Sequence, residues 1–193
     1  EWKDWQNQYI AQELARATND TQRAAAQRLR PEIKQIVLPE LGRVDRCITC
    51  HLTVEDPSYA GREQPLAYHP AHDQHPFQKF GCTICHQGQG RATTRAAAHG
   101  DVKHWEQPLL PRQYLEASCA KCHLPDDIPS APRLARGRAL FEELGCIGCH
   151  KLHGVGVPVG PELDTVGAQR SPAWLRRHFR DPAAVVPGST MPP

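Results

Sequence analysis

The eight cysteines of this 193-residue chain fall into four copies of one five-residue pattern, and that pattern constrains what the rest can become. Cys-x-x-Cys-His occurs at Cys47, Cys50 and His51, at Cys82, Cys85 and His86, at Cys119, Cys122 and His123, and at Cys146, Cys149 and His150. No cysteine lies outside the four copies. The first three follow one another at nearly even intervals, and the fourth comes sooner.

The spacing has a chemical reason. Two thiols three positions apart can each add across one of two neighbouring vinyl groups of a haem, and the histidine beside the second thiol then stands under the iron as its proximal ligand. The expectation is four covalently bound haem c groups, with His51, His86, His123 and His150 as proximal ligands. Zinc knuckles also use Cys-x-x-Cys, but zinc does not require a histidine after every second cysteine. Structural disulfides fit less well, because each pair is too close in sequence to staple distant segments and the fixed histidine is unexplained.

Composition supports a prosthetic core. Hydrophobic residues make up 39% and aromatics 6%, alongside 18 prolines and 14 glycines, which is thin material for a large side-chain core. The fold class expected is mainly α, with short helices and long ordered loops wrapped on porphyrin, and an apo chain that is largely unfolded. The formal charge of +2 turns negative once the propionates of four haems are counted. Arginines such as Arg91 and Arg95 are candidates to pair with them. No basic stripe interleaves with aromatics, so a nucleic-acid partner is not expected.

The chain opens on Glu1 and contains no apolar run long enough for a signal peptide or a membrane span, which reads as a processed or partial chain. The attachment chemistry implies the periplasmic or extracytoplasmic face of a membrane. Residues 1–46 read as a helical docking or juxtamembrane segment. An amphipathic helix over 1–17 carries Trp2, Trp5 and Tyr9, Asn19 or Asp20 caps a second helix over Thr21–Arg30, and Pro31–Arg46 is an extended connector. The tryptophan-bearing face either packs on the haem domain or marks the edge of a membrane anchor.

Residues 47–125 form an expected trihaem module. The proline-rich run Leu124–Pro132, LPDDIPSAP, marks a boundary, with the linker placed at 126–132 and a monohaem module over 133–193. Three bis-histidine irons need three sixth ligands, and His69, His72, His75, His99 and His104 compete for them. His69, His75 and His104 come first, since His69 and His75 each precede a proline that biases them to extended backbone. The chain's one methionine, Met191, lies in the last module.

That module contains a helix over Leu134–Leu144, then Gly145-Cys146-Ile147-Gly148-Cys149-His150, Gly160-Pro161-Glu162-Leu163, Trp174-Leu175 and Gly188-Ser189-Thr190-Met191-Pro192-Pro193. The order resembles a class I cytochrome c domain. The resemblance implies that Met191 is the sixth iron ligand and that the Pro161 carbonyl holds His150, while His153 and His178 have no family role and lie at the surface. The family continues past its methionine into a C-terminal helix; the sequence ends at Pro193, and the expectation is that such a helix lies outside it or that another subunit covers the surface.

The segments RCITCHL, HPFQKFGCTICHQGQGRATT and SCAKCH, followed by that domain, resemble the multihaem cytochrome c subunits of bacterial membrane respiratory complexes of the quinol-oxidising, cytochrome b and Rieske type. The resemblance implies an electron-transfer subunit rather than an enzyme. Electrons would run from the quinol-oxidising complex through bis-histidine haems to a higher-potential His/Met haem, and on to a soluble cytochrome or terminal oxidase. The competing readings are a small multihaem reductase with one open iron, and an extracellular electron conduit.

Overall fold

A 15-residue helix, α1, runs from Trp2 to Arg16, and its seat is set by a polar side chain rather than by its aromatic face. Gln6 is 2% exposed; its Nε2 donates to the carbonyls of Glu32 and Thr49 at 2.7 and 2.8 Å, and its Oε1 accepts from the Glu32 N–H at 2.8 Å. One amide thus satisfies three backbone groups from two distant segments, and each of those groups would be costly to bury unpaired. Trp2, Trp5 and Tyr9 are half-buried beside it. The computed structural model describes residues 1–70, 74–124 and 128–193. These fall into two compact units, Glu1–Lys103 and His104–Pro193, and the secondary structure is mainly helical with few strands. The motif-based boundary at 126–132 and this division at Lys103 differ, so the third motif shares a unit with the fourth.

In the first unit α1 is followed by α2, Asp20–Arg28, whose Asn19 cap accepts from the Gln22 N–H at 2.9 Å. The helix ends before Arg30 because Pro31 biases its predecessor to extended backbone. The connector expected over Pro31–Arg46 is in part a hairpin: β1, Ile36–Leu38, pairs antiparallel with β2, Arg43–Asp45, across a short 3₁₀ turn at Pro39–Leu41. Sequence reading missed it because each strand is three residues long. Short helices α3, Phe77–Phe80, α4, Thr83–His86, and α5, Arg95–His99, complete the unit.

Asp45, at the end of β2, is fully buried and holds the hairpin to α4. Its carboxylate accepts from the Cys82 N–H at 2.5 Å, the Thr83 N–H at 2.8 Å and the Thr83 hydroxyl at 2.7 Å. Gly81 and Gly90 wall it in so closely that an added Cβ would stand 2.4 and 2.2 Å from its oxygens. Arg46 continues the joint, its N–H donating to the Gly90 carbonyl at 2.7 Å. Polar groups fill much of this interior: the most deeply buried large side chains are Tyr59, Thr49, Thr53 and Asp45.

Tyr59 is the aromatic centre of the unit. Its hydroxyl donates to Glu13 of α1 at 2.7 Å, Tyr9 lies 6.1 Å away ring to ring, and the Arg16 guanidinium sits 4.5 Å over its ring.

In the second unit a 3₁₀ stretch over Arg112–Lys121 leads into the third motif, and α6 spans Pro132–Glu143. Glu116 ties the two together, its carboxylate accepting from the Arg133 and Leu134 N–H groups at 2.6 and 3.2 Å. It thereby supplies the anionic cap that Ala131, at the N-cap position, cannot. Helix α7 spans Val166–Gln169, α8 Pro172–Arg180 and α9 Pro182–Val185. Large apolar residues here stay exposed, among them Leu144 at 73%, Val159 at 75% and Phe179 at 59%.

Two predictions follow from the first unit's interior. Asp45→Ala leaves three buried donors without their acceptor and lowers stability by about 3 kcal/mol, measured as the urea midpoint; Asp45→Asn, which keeps one acceptor oxygen, loses less. Burial first, and the bond to Glu13 second, push the Tyr59 hydroxyl up to about 12. A raised acid keeps its proton longer folded than unfolded, so stability holds below about pH 10 and falls as pH rises from there towards 12. Alkaline thermal melts of Tyr59→Phe should lose that steepening.

Candidate haem-binding sites

All four Cys-x-x-Cys-His copies fold into the same single turn. The second cysteine's N–H bonds the first cysteine's carbonyl at 3.1 Å in Cys50, Cys122 and Cys149 and at 3.2 Å in Cys85. The histidine N–H bonds that same carbonyl at 2.9 Å in His51 and His150 and at 3.0 Å in His86 and His123. Residues three and four apart share a face of such a turn, so both thiols and the imidazole of each copy are offered on one side. None of the eight cysteines is in a disulfide, and each is half-buried or exposed. Among the described residues no group of three or more His, Cys, Asp or Glu side chains is arranged to hold a metal ion.

The first motif is seated by its own variable positions. Thr49 is 1% exposed, and its hydroxyl donates to the Lys34 carbonyl at 2.7 Å and accepts from the Lys34 N–H at 3.0 Å. His51 Nδ1 lies 3.1 Å from Gln64 Oε1, which leaves Nε2 as the nitrogen open to a metal. Burial lowers the His51 pKa, with the Gln64 bond acting in the opposite sense, and burial also lowers that of His86, helped by His69 and His51. Both imidazoles are therefore held neutral, the form that ligates. The thiols of Cys47 and Cys82 hydrogen-bond each other, which favours ionisation of Cys47 and, with burial, holds Cys82 protonated.

The additional histidines are distributed unevenly. His99, at the end of α5, stands with its ring 6.4 Å from that of His51, and His69 lies 5.8 Å from His86. His75 packs on Phe80 at 5.0 Å. His104 is exposed, in the second unit with the third motif, and its backbone is left-handed at φ 68°. His72 lies outside the described residues, as do Asp126 and Asp127 of the expected linker.

In the second unit His150 Nδ1 lies 2.8 Å from the Pro161 carbonyl, again leaving Nε2 open. Gly160 backs the ring: an added Cβ would stand 2.6 Å from its Cε1. Gly156, at φ +115°, allows the chain to pass the His150 carbonyl, which a Cβ would meet at 2.2 Å. Phe141, Ile147, Leu152 and Val155 line an apolar crevice beside the motif, with Arg138 among its walls. Met191 is half-buried, its N–H donating to Ser189 Oγ at 3.3 Å. His153 is exposed beside Asp164, while His178, expected at the surface, is half-buried and stacks on Trp174 at 4.8 Å.

Residues 134–190 match the Cytochrome c family. The C-terminal region is a cytochrome c domain. It carries covalently bound haem c and serves electron transfer, and these residues fit that group: a thiol pair on one face, an anchored imidazole, and apolar surface beside them for porphyrin to cover. The chain is also similar to cytochrome c oxidase subunit 2 of Alkalihalophilus pseudofirmus, 33% identical over 72 residues that cover 33% of this chain and 21% of that protein. It thus spans about a fifth of that relative's length. No solved structure matches the chain.

Three site residues carried no sequence signal of their own: Gln64, Asp45 and Thr49 act through side-chain bonds to residues far along the chain. Gly160 was legible only as part of the Gly-Pro-x-Leu segment. Replacing Gly160 with alanine drives a methyl group into the His150 ring and should cost about 1–3 kcal/mol in overpacking. Thermal unfolding reads the loss, and the His150 imidazole resonances should shift with it.

Proposed function

We propose that the chain is a tetrahaem c-type cytochrome that carries electrons from a membrane quinol-oxidising complex of the cytochrome b type to a periplasmic acceptor, a soluble cytochrome or a terminal oxidase. What carries the reading is the shared turn: four copies, one hydrogen-bond pattern, each with two thiols and one imidazole on the same side. When bound, haem supplies reversible one-electron exchange at iron, with a potential set by its axial ligands. The chain's own residues do the rest. Cys47, Cys50, Cys82, Cys85, Cys119, Cys122, Cys146 and Cys149 anchor the groups. His51, His86, His123 and His150 offer the proximal nitrogen, and the Gln64 and Pro161 oxygens fix the rings of His51 and His150 through Nδ1.

By motif, the first three copies form a trihaem module and the fourth belongs to the cytochrome c domain, where Met191 is the sixth ligand. A thioether favours ferrous iron, so the last site has the highest potential and terminates the relay. The similarity to a protein named as an oxidase subunit supports a multisubunit complex as the setting. No helix among the described residues is long and apolar enough to cross a membrane.

Intact-mass measurement of the chain matured in a periplasm should show four covalently added haems; a smaller number sinks the tetrahaem reading. In the same preparation Met191→Ala should lower the potential of one haem and leave three unchanged. Four unchanged potentials remove Met191 as a ligand.

A further inference from the structure

Two close pairs of histidine rings in the first unit have spacings that side-chain packing does not account for equally well. Metal–imidazole bonds of about 2 Å, with each ring nitrogen roughly 1 Å from its centroid, place two trans imidazoles about 6 Å apart, centroid to centroid. His51 and His99 stand 6.4 Å apart with ring planes at 25°, and His69 and His86 stand 5.8 Å apart at 83°. Near-parallel rings in face contact approach to about 4 Å, so 6.4 Å is too wide for the first pair to pack face to face and matches the span of two imidazoles across one metal ion. Edge-to-face packing alone could give the second spacing. Its ring is nevertheless held as a ligand is, since His69 Nδ1 lies 3.0 Å from the Pro70 carbonyl and leaves Nε2 open. Each pair joins one motif histidine to one histidine outside the motifs.

The backbone holds the partners in place by an interlaced route. The His69 N–H donates to the Val54 carbonyl at 3.0 Å, which ties it to the segment just after the first motif. The Gln89 N–H donates to the Ala98 carbonyl at 2.8 Å, which returns α5 and His99 to the segment just after the second. At the start of α5 the Arg95 N–H donates to the Glu1 carboxylate at 2.7 Å. We propose that His99 is the sixth ligand of the first haem, opposite His51, with imidazole planes near parallel, and that His69 is the sixth ligand of the second, opposite His86, with planes near perpendicular. The assignment rests on the tetrahaem reading above. The segment after each of the two motifs carries the ligand that completes the other motif's iron, so the two sites are built as one unit.

Ring orientation has a spectroscopic consequence: near-parallel imidazoles give low-spin ferric haem a rhombic EPR signal, and near-perpendicular ones give a strongly anisotropic signal with a large maximum g value. Low-temperature EPR of the fully oxidised, haem-loaded chain should contain both. His99→Ala should lose a rhombic signal and gain one high-spin haem that added imidazole returns to low spin. His69→Ala should lose the large-g signal in the same way. Intact mass separates the two levels of the argument: fewer than four haems on the unaltered chain fails the tetrahaem reading. Four haems on a His99→Ala or His69→Ala chain whose EPR is unchanged overturns the pairing alone. If either alanine variant does not accumulate, His99→Met and His69→Met retain a ligand, and each should raise the potential of a single haem. Unchanged potentials in both overturn the pairing.

Discussion

A single buried carboxylate joins the two halves of the first unit. Asp45 lies two residues before Cys47, and it accepts hydrogen bonds from Cys82 and Thr83, so one side chain fixes the first motif against the second. The geometry works only because Gly81 and Gly90 bring backbone to within contact of the carboxylate. A charge so buried is costly unless its lone pairs are filled, and three donors fill them here. The contact between the Cys47 and Cys82 thiols, and the gathering of His51, His69, His86 and His99, follow from that joint.

Polar buried groups repeat the same device at other places. Gln6 clamps α1 to Glu32 and Thr49, Thr49 clamps the first motif to Lys34, and Glu116 caps α6 from the stretch that leads to the third motif. In a chain with few aromatics these bonds position the attachment turns, while apolar residues such as Leu144, Val159 and Phe179 stay exposed. Under the proposed tetrahaem reading, the protein portion acts as a frame whose apolar filling is haem, as in other small domains that fold around a bound group.

The parts of this arrangement that are local in sequence were legible in it. The four motifs, the Asn19 cap, the stop before Pro31, the helix ending just before Gly145 and the cytochrome c character of the C-terminal region all depend on residues a few positions apart. What was not legible depends on long separations. The hairpin of β1 and β2 is too short to show a period, and Asp45, Gln6 and Gln64 act across stretches that sequence spacing does not encode. The neighbourhood of the extra histidines was not legible either. Proline neighbours favoured His69 and His75, while α5 brings the His99 ring beside that of His51, because that placement depends on how the loop after His86 returns and not on the residue that follows.

The contact between Cys47 and Cys82 bears on biogenesis. Two thiols within hydrogen-bond reach, one inclined to ionise and one held protonated, are the ingredients of thiol–disulfide chemistry once an oxidant is at hand. A chain that closed around Asp45 before its cysteines were capped would offer an oxidising compartment a ready crosslink between the first two motifs. Where the first two motifs take haem, as proposed, maturation is a race between thioether formation and folding, with the thiols kept reduced until the first has finished.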